Sequence, residues 1–131
     1  MKRMENLNKK FEPIRLINTN VISRKGYFYG EITRADAQVR EGNQILKVEF
    51  RIAKGKYRGF PLNTIFPSDF KGQVRLSYLC NAVGITDELK SPEQLLGKIL
   101  KLRIVPYYSH HMGRKYLNHK VTRFHPADRA L

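Results

Sequence analysis

QILKVEFRIAKGKYRGFPLNTIF, Gln44 to Phe66, holds two alternating apolar and polar runs joined by a short Gly-Lys turn, the pattern of a β-hairpin. Successive side chains of a strand point to opposite sides. Leu46, Val48, Phe50 and Ile52 therefore fall on one face, and Ile45, Lys47, Glu49 and Arg51 on the other. The first face is apolar enough to be buried, while the second carries mixed charge. Beyond the turn, Tyr57 to Phe66 reads as the returning strand, and Lys54, Lys56 and Arg58 stand beside Tyr57 and Phe60. A basic hairpin carrying aromatic rings has the chemistry to meet a nucleic acid.

The rest of the chain sets bounds on that reading. Its 131 residues are the size of one domain, enough to bury a core without metal or disulfide help. The formal net charge is +14, from 25 Lys and Arg against 11 Asp and Glu. Such a surface favours a polyanion, because its cations release the counterions of a phosphate backbone. Charge alone equally fits a ribosomal protein or a membrane-surface binder. Cys80 is the one cysteine, so no intrachain disulfide forms and a reducing compartment is expected. MKRMENLNKK lacks a hydrophobic region behind its charges, and the apolar runs elsewhere are short. Neither a membrane span nor a secretory address is predicted, and the expected location is the cytoplasm.

Outward from the hairpin, residues 1–25 read as a basic N-terminal arm. It contains Lys2, Arg3, Lys9, Lys10, Arg15, Arg24 and Lys25 against Glu5 and Glu12. Pro13 and Asn18-Thr19-Asn20 argue against a long helix, although Ile14, Leu16 and Ile17 suit a short edge segment. The arm either wraps phosphates or is a frayed terminus. Residues 26–125 form the folded domain, and 126–131 a short tail. A first strand begins at Gly26, with Phe28 and Ile32 on one face and Tyr27, Tyr29 and Glu31 on the other. Tyrosine favours strands in any case, but exposed neighbouring tyrosines also stack on bases. Pro67 ends the hairpin, and Ser68-Asp69 starts a helix whose Leu76, Leu79, Cys80 and Val83 recur at helical spacing before Gly84. Cys80 lies on that apolar stripe and reads as a core residue, with no base beside it. Ser91-Pro92-Glu93-Gln94 is a compact helical start.

From Gly97 to Phe124 there are seven Lys or Arg and no acid. Leu100, Leu102 and Ile104 form the buried face of a fourth strand, with Lys101, Arg103, Val105 and Tyr107 opposite, and Pro106 marks its end or an edge. After the loop Ser109 to Arg114 comes a fifth strand, Lys115 to Phe124. Two facings are open for it: Leu117 and Val121 inward with His119, or Tyr116 and Phe124 inward.

Five strands with one helix between the third and fourth is the connectivity of the OB-fold, a five-stranded Greek-key barrel that binds oligonucleotides across strands two and three and two of its loops. The fold class predicted is therefore all-β with one helix. Lys47, Arg51, Lys54, Lys56, Tyr57 and Arg58 are assigned to strands two and three. Tyr107, Arg114, Lys115 and Tyr116, with Tyr108, flank the last hairpin loop. Lys25, Tyr27, Tyr29, Lys101, Arg103 and Lys120 complete the candidate nucleic-acid-binding set. Charge attracts phosphates and rings stack on bases without regard to sequence, which describes a single-strand binder better than a duplex reader. No helix reads as a recognition helix: the one good helix is basic only near its start, at Lys71 and Arg75.

The succession GYFYGEIT, LKVEFRIAKGKYRGFPL, RLSYLCNAVGI, SPEQLLGKILKLRI and KYLNHKV resembles the phage-type alternative single-stranded-DNA-binding proteins of bacteriophages and mobile elements. The resemblance spans Gly26 to Phe124 and is carried most by Gly55-Lys56-Tyr57-Arg58-Gly59 and Leu95-Leu96-Gly97-Lys98. It implies an OB-fold that coats unwound DNA in replication or recombination, without chemistry of its own. It further implies that Tyr27, Tyr29, Lys47, Arg51, Lys56, Tyr57 and Arg58 meet the DNA. The acidic C-terminal tail of many single-strand binders has no counterpart here beyond Asp128. Recruitment of replication or recombination proteins through such a tail is thus not expected, unless a tail has been removed.

Enzyme readings are poorly supported. His110, His111, His119 and His125 lack a Cys pair or nearby carboxylate, so no metal is predicted. Glu31, Asp36, Glu49 and Asp69 form no nuclease-like pair, and no glycine-rich phosphate loop precedes a helix. No cofactor and no catalysis are expected. Two other readings stay open: an RNA-binding OB protein of ribosomal or translation-factor type, and a basic module docking an acidic protein. Self-association is open as well.

Overall fold

The computed structural model describes residues 11–14, 16 and 18–130. The sequence reading of Lys2, Arg3, Lys9, Lys10, Arg15 and Ile17 lies outside the described residues. Five antiparallel strands form one sheet: β1 (Gly26–Arg40), β2 (Asn43–Ile52), β3 (Pro61–Phe66), β4 (Ile99–His111) and β5 (Arg114–Pro126). One helix, α1 (Phe70–Ala82), and a single 3₁₀ turn, Pro92–Leu95, complete the regular structure among the described residues. The strand order is β3-β2-β1-β4-β5. All-β with one helix therefore holds, and the sheet is open, with β3 and β5 as its two edges.

Alternation decides which face is buried. Val48, Phe50 and Ile52 of β2 point inward with Leu46, as do Leu100, Leu102 and Ile104 of β4 and Ile32 of β1. The β1–β2 turn is two residues, Glu41 and Gly42, both at positive φ (51° and 80°), the backbone that tight hairpins need. Ile45 departs from the alternation pattern: it sits on the charged face yet is buried.

β1 serves two neighbours. Residues Gly30 to Arg40 pair with β2, and Gly26 to Glu31 pair with β4. The register slips between Ile32 and Arg34, and this bulge at Thr33 bends the strand from one partner to the other. Where β1 leaves β4, the Ile32 carbonyl accepts from Gly97 N and its N–H donates to the Lys98 carbonyl, both at 2.9 Å. The 3₁₀ turn is thereby fixed on β1, with Leu95 driven into the core. Gln94 locks the start of that turn, its Oε1 accepting from Lys90 N at 2.6 Å and Ser91 N at 3.2 Å.

Three expectations are revised. The returning strand begins at Pro61 rather than Tyr57, because Gly55 and Gly59 take positive φ (89° and 86°) and turn Lys54 to Phe60 out of the ladder. The last hairpin has no long loop: β4 and β5 pair through to His111 and Arg114, leaving only Met112 and Gly113, both at positive φ. The two facings proposed for β5 are each half right. A register shift opposite Arg103 and Ile104 leaves Thr122 unpaired, so Val121 and Phe124 are both buried. Pro106 lies inside β4 but past Ile104, where β1 stops pairing, so β4 has an open edge there.

Helix α1 packs against β5 and β3, across the gap between the two sheet edges. Asp69 caps it, its Oδ1 accepting from Gly72 N at 2.8 Å, and Leu79, Cys80 and Ala82 are buried. Burial pushes the Cys80 thiol pKa up, as suits a packing residue. Arg75 points inward: it donates to the Val121 carbonyl at 3.0 Å and lies 5.4 Å and 5.9 Å from the Phe66 and Phe124 ring centres. One arginine thus bridges β3 and β5, where no ladder joins them. At Gly72 the helix start approaches Pro67 so closely that a Cβ would lie 2.0 Å from its carbonyl oxygen. Gly72→Ala is expected to cost about 3 kcal/mol, because the obstructing atoms are backbone. A thermal melt reads it, and an unchanged midpoint would place the helix start elsewhere.

Candidate nucleic-acid interface

The cross-strand register builds two adjacent rows on the solvent face of the sheet. Tyr27 pairs with Arg103, which pairs with Arg123; Tyr29 pairs with Lys101, which pairs with His125. Tyr27 is exposed and Tyr29 half-buried. Lys54, from the β2–β3 turn, holds its ammonium 3.7 Å from the Tyr29 ring centre, and that of Lys101 lies at 5.2 Å. Lys101 also donates to the Arg129 carbonyl. A shallow depression of about 190 Å³ is lined by Tyr27, Phe28, Tyr29 and Lys101. Neither row contains a carboxylate. Further along the same face of β4 and β5, Lys120 lies 5.5 Å from the Tyr107 ring centre, and Tyr116 stands opposite Ser109.

β2 offers a different surface. Arg51 is 2.9 Å from Glu49 and only 18% exposed, and it reaches the Gly59 carbonyl at 3.5 Å. Arg34 pairs with Asp36 at 3.4 Å, and Lys47 is half-buried opposite Asp36. Arg51 and Arg34 are thus compensated by neighbouring carboxylates. Lys56 and Arg58 are exposed in the β2–β3 turn, but the Tyr57 ring turns inward, half-buried, and meets Phe28 edge-on at 5.9 Å. Arg114 is exposed beside the tip of the last hairpin, while Lys115 lies 4.1 Å from the Tyr108 ring on the opposite face from Tyr107. Lys25 is exposed just before β1. Of the candidate residues, the sheet therefore assembles Tyr27, Tyr29, Lys54, Lys101 and Arg103, with Tyr107, Tyr116 and Lys120 beyond them. Lys47, Arg51, Lys56, Tyr57, Arg58 and Lys115 lie apart, and Arg114 shares the face of Tyr116 at the far end of the hairpin.

The segment before β1 is held against the turn. Asn18 Nδ2 donates to the Lys56 and Arg58 carbonyls at 2.9 Å and 2.8 Å, and Asn20 Nδ2 to Lys56 at 3.3 Å. Ile22 is buried in the core, and its carbonyl lies 2.7 Å from His119 Nε2. The turn carrying Lys54 is positioned from outside the sheet. Ile14 and Leu16 are exposed and form no strand.

The sequence reading missed His125 and Arg123. The ring of His125 lies 5.8 Å from that of Tyr27, and its Nδ1 accepts from Arg129 at 3.1 Å. Burial, then the charges of Arg129 and Arg123, push its pKa below the usual imidazole range. Pairing β5 back onto β4 from the hairpin turn would have placed both, had the bulge been known. His110 and His111 lie at the hairpin end, at the opposite end of the β4–β5 ladder from His125, and no group of three His, Cys, Asp or Glu side chains gathers as a metal would require among the described residues. No helix among them is long and apolar enough to cross a membrane. Against models of known protein families and the sequences of curated proteins, the chain finds no match.

Proposed function

We propose that this protein binds single-stranded DNA with little sequence preference, on an OB-fold, and coats it during replication or recombination without covalent chemistry, as the phage-type alternative single-strand binders do. The observation that carries the reading is the pair of rows from Tyr27 and Tyr29 to Arg123 and His125, with Lys54 and Lys101 at the Tyr29 ring and no acid among them. Tyrosines offer flat faces to successive bases, and the cations beside them offer charge to the linking phosphates. Support for the OB-fold comes from the strand order, from a bulged β1 shared by β2 and β4, and from β3 and β5 approaching each other beneath α1. The return of β4 to lie beside β1, with β2 and β3 beyond, is the order a Greek key requires and supports the same reading,. The DNA path runs over β1, β4 and β5, since Arg51 on β2 is held by Glu49.

The test is a titration of labelled single-stranded DNA, matched duplex and single-stranded RNA of equal length at near-physiological salt. Preference for the single DNA strand over both competitors is the expected result. Equal or tighter RNA binding would transfer the same face to RNA, and no binding to any would end the nucleic-acid reading.

A further inference from the structure

A cleft of about 400 Å³ opens between α1 and β5, lined by Arg75, Tyr78, Thr122, Arg123, Phe124 and His125. No carboxylate lines it. Tyr78 is 61% exposed, three residues after Arg75, so the two share a side of the helix. The Arg75 guanidinium is fixed by the Val121 carbonyl and two rings, and no acid pairs with it among the described residues. Arg123 lies exposed on the opposite wall.

His125 joins this cleft to the tyrosine rows: its ring lines the cleft and also lies 5.8 Å from that of Tyr27. Because an arginine always donates, its contact with Nδ1 leaves the imidazole proton on Nε2,. That Nε2 is buried and has no hydrogen-bond partner, an unmet donor where the two surfaces meet. An open ring beside two uncompensated cations repeats the chemistry of the sheet face around the corner of β5.

Resting on the single-strand reading above, we propose that a DNA strand crossing Tyr29 and Tyr27 passes His125, rounds the β5 edge and seats a further nucleotide in this cleft. Its base stacks on Tyr78, and its phosphate lies between Arg75 and Arg123.

The test uses the full chain with oligothymidylates of about 6 and about 16 nucleotides, which bracket the footprints of OB-folds. Tyr78→Ala is expected to weaken binding of the longer strand at least about fivefold, one stacking contact at the low end of its usual range. The shorter strand should bind as to the wild type, since Tyr78 lies outside the tyrosine rows, and Tyr78→Phe should restore the longer one. Unchanged affinity for the longer strand, or an equal loss at both lengths, would overturn the proposal. Photo-crosslinking of the wild type to iodouracil DNA needs no folded variant: crosslinks at Tyr27 or Tyr29 with none at Tyr78 would also overturn it. A wild type that binds neither length would instead sink the single-strand reading itself.

Discussion

Phe50→Ala is expected to lower the free energy of unfolding by about 3–5 kcal/mol. Phe50 lies two residues before the end of β2, paired with Ile32 and Leu62 on its two sides. It is fully buried, and its ring lies 6.1 Å from that of Phe124 on β5. The contact therefore crosses the interior, from the middle of the sheet to one of its edges. Truncation opens a cavity between elements that backbone hydrogen bonds hold in place, so the site cannot collapse to fill it. Urea unfolding at constant slope would read the loss. A change below about 1 kcal/mol would mean that the core does not run through this ring.

Tyr27→Ala with Tyr29→Ala is expected to weaken single-stranded DNA binding by at least about thirty-fold, two stacking contacts at the low end of their usual range. Fluorescence anisotropy would measure it. Both rings lie on the solvent face of β1, so the fold should survive with the tilted contact of Tyr27 to His125 and the contacts of Lys54 and Lys101 to the Tyr29 ring lost. Tyr57→Ala makes the comparison sharp. Its ring rests on Phe28, so that change should lower the melting temperature more than the affinity. The reverse pattern, with intact binding in the double variant and lost binding on removing Tyr57, would move the interface to the β2–β3 turn.

Much of the fold was legible because burial on one face leaves a period of two. Val48, Phe50 and Ile52, and again Leu100, Leu102 and Ile104, could be assigned from spacing, and Asp69 and Gln94 announced their turns by side-chain chemistry. Three things resisted. A bulge such as that at Thr122 has no sequence mark, yet it inverts every facing beyond it. Glycine at positive φ took Tyr57 out of a strand that its neighbours suggested. Ile22 seemed part of a charged arm, although it completes the core.

The candidate site divides along the same line. Charge and aromatic content could be counted, but whether a cation is available depends on its neighbour across the sheet or two positions along it. Glu49 and Arg51 share a face, so their pairing was readable. The meeting of Tyr27 with His125 was not, because it depends on register between strands nearly a hundred residues apart.

The division of β1 between two partners also sets an order of events. Residues 30–40 find β2 across a two-residue turn, whereas residues 26–31 wait for residues 99–104. Closing the longer loop costs more chain entropy and comes later. Pulsed amide exchange during refolding should therefore protect the β1–β2 hairpin before Tyr27 and Tyr29 are held in their rows. On a nascent chain the same order delays assembly of the tyrosine face until the C-terminal hairpin has emerged.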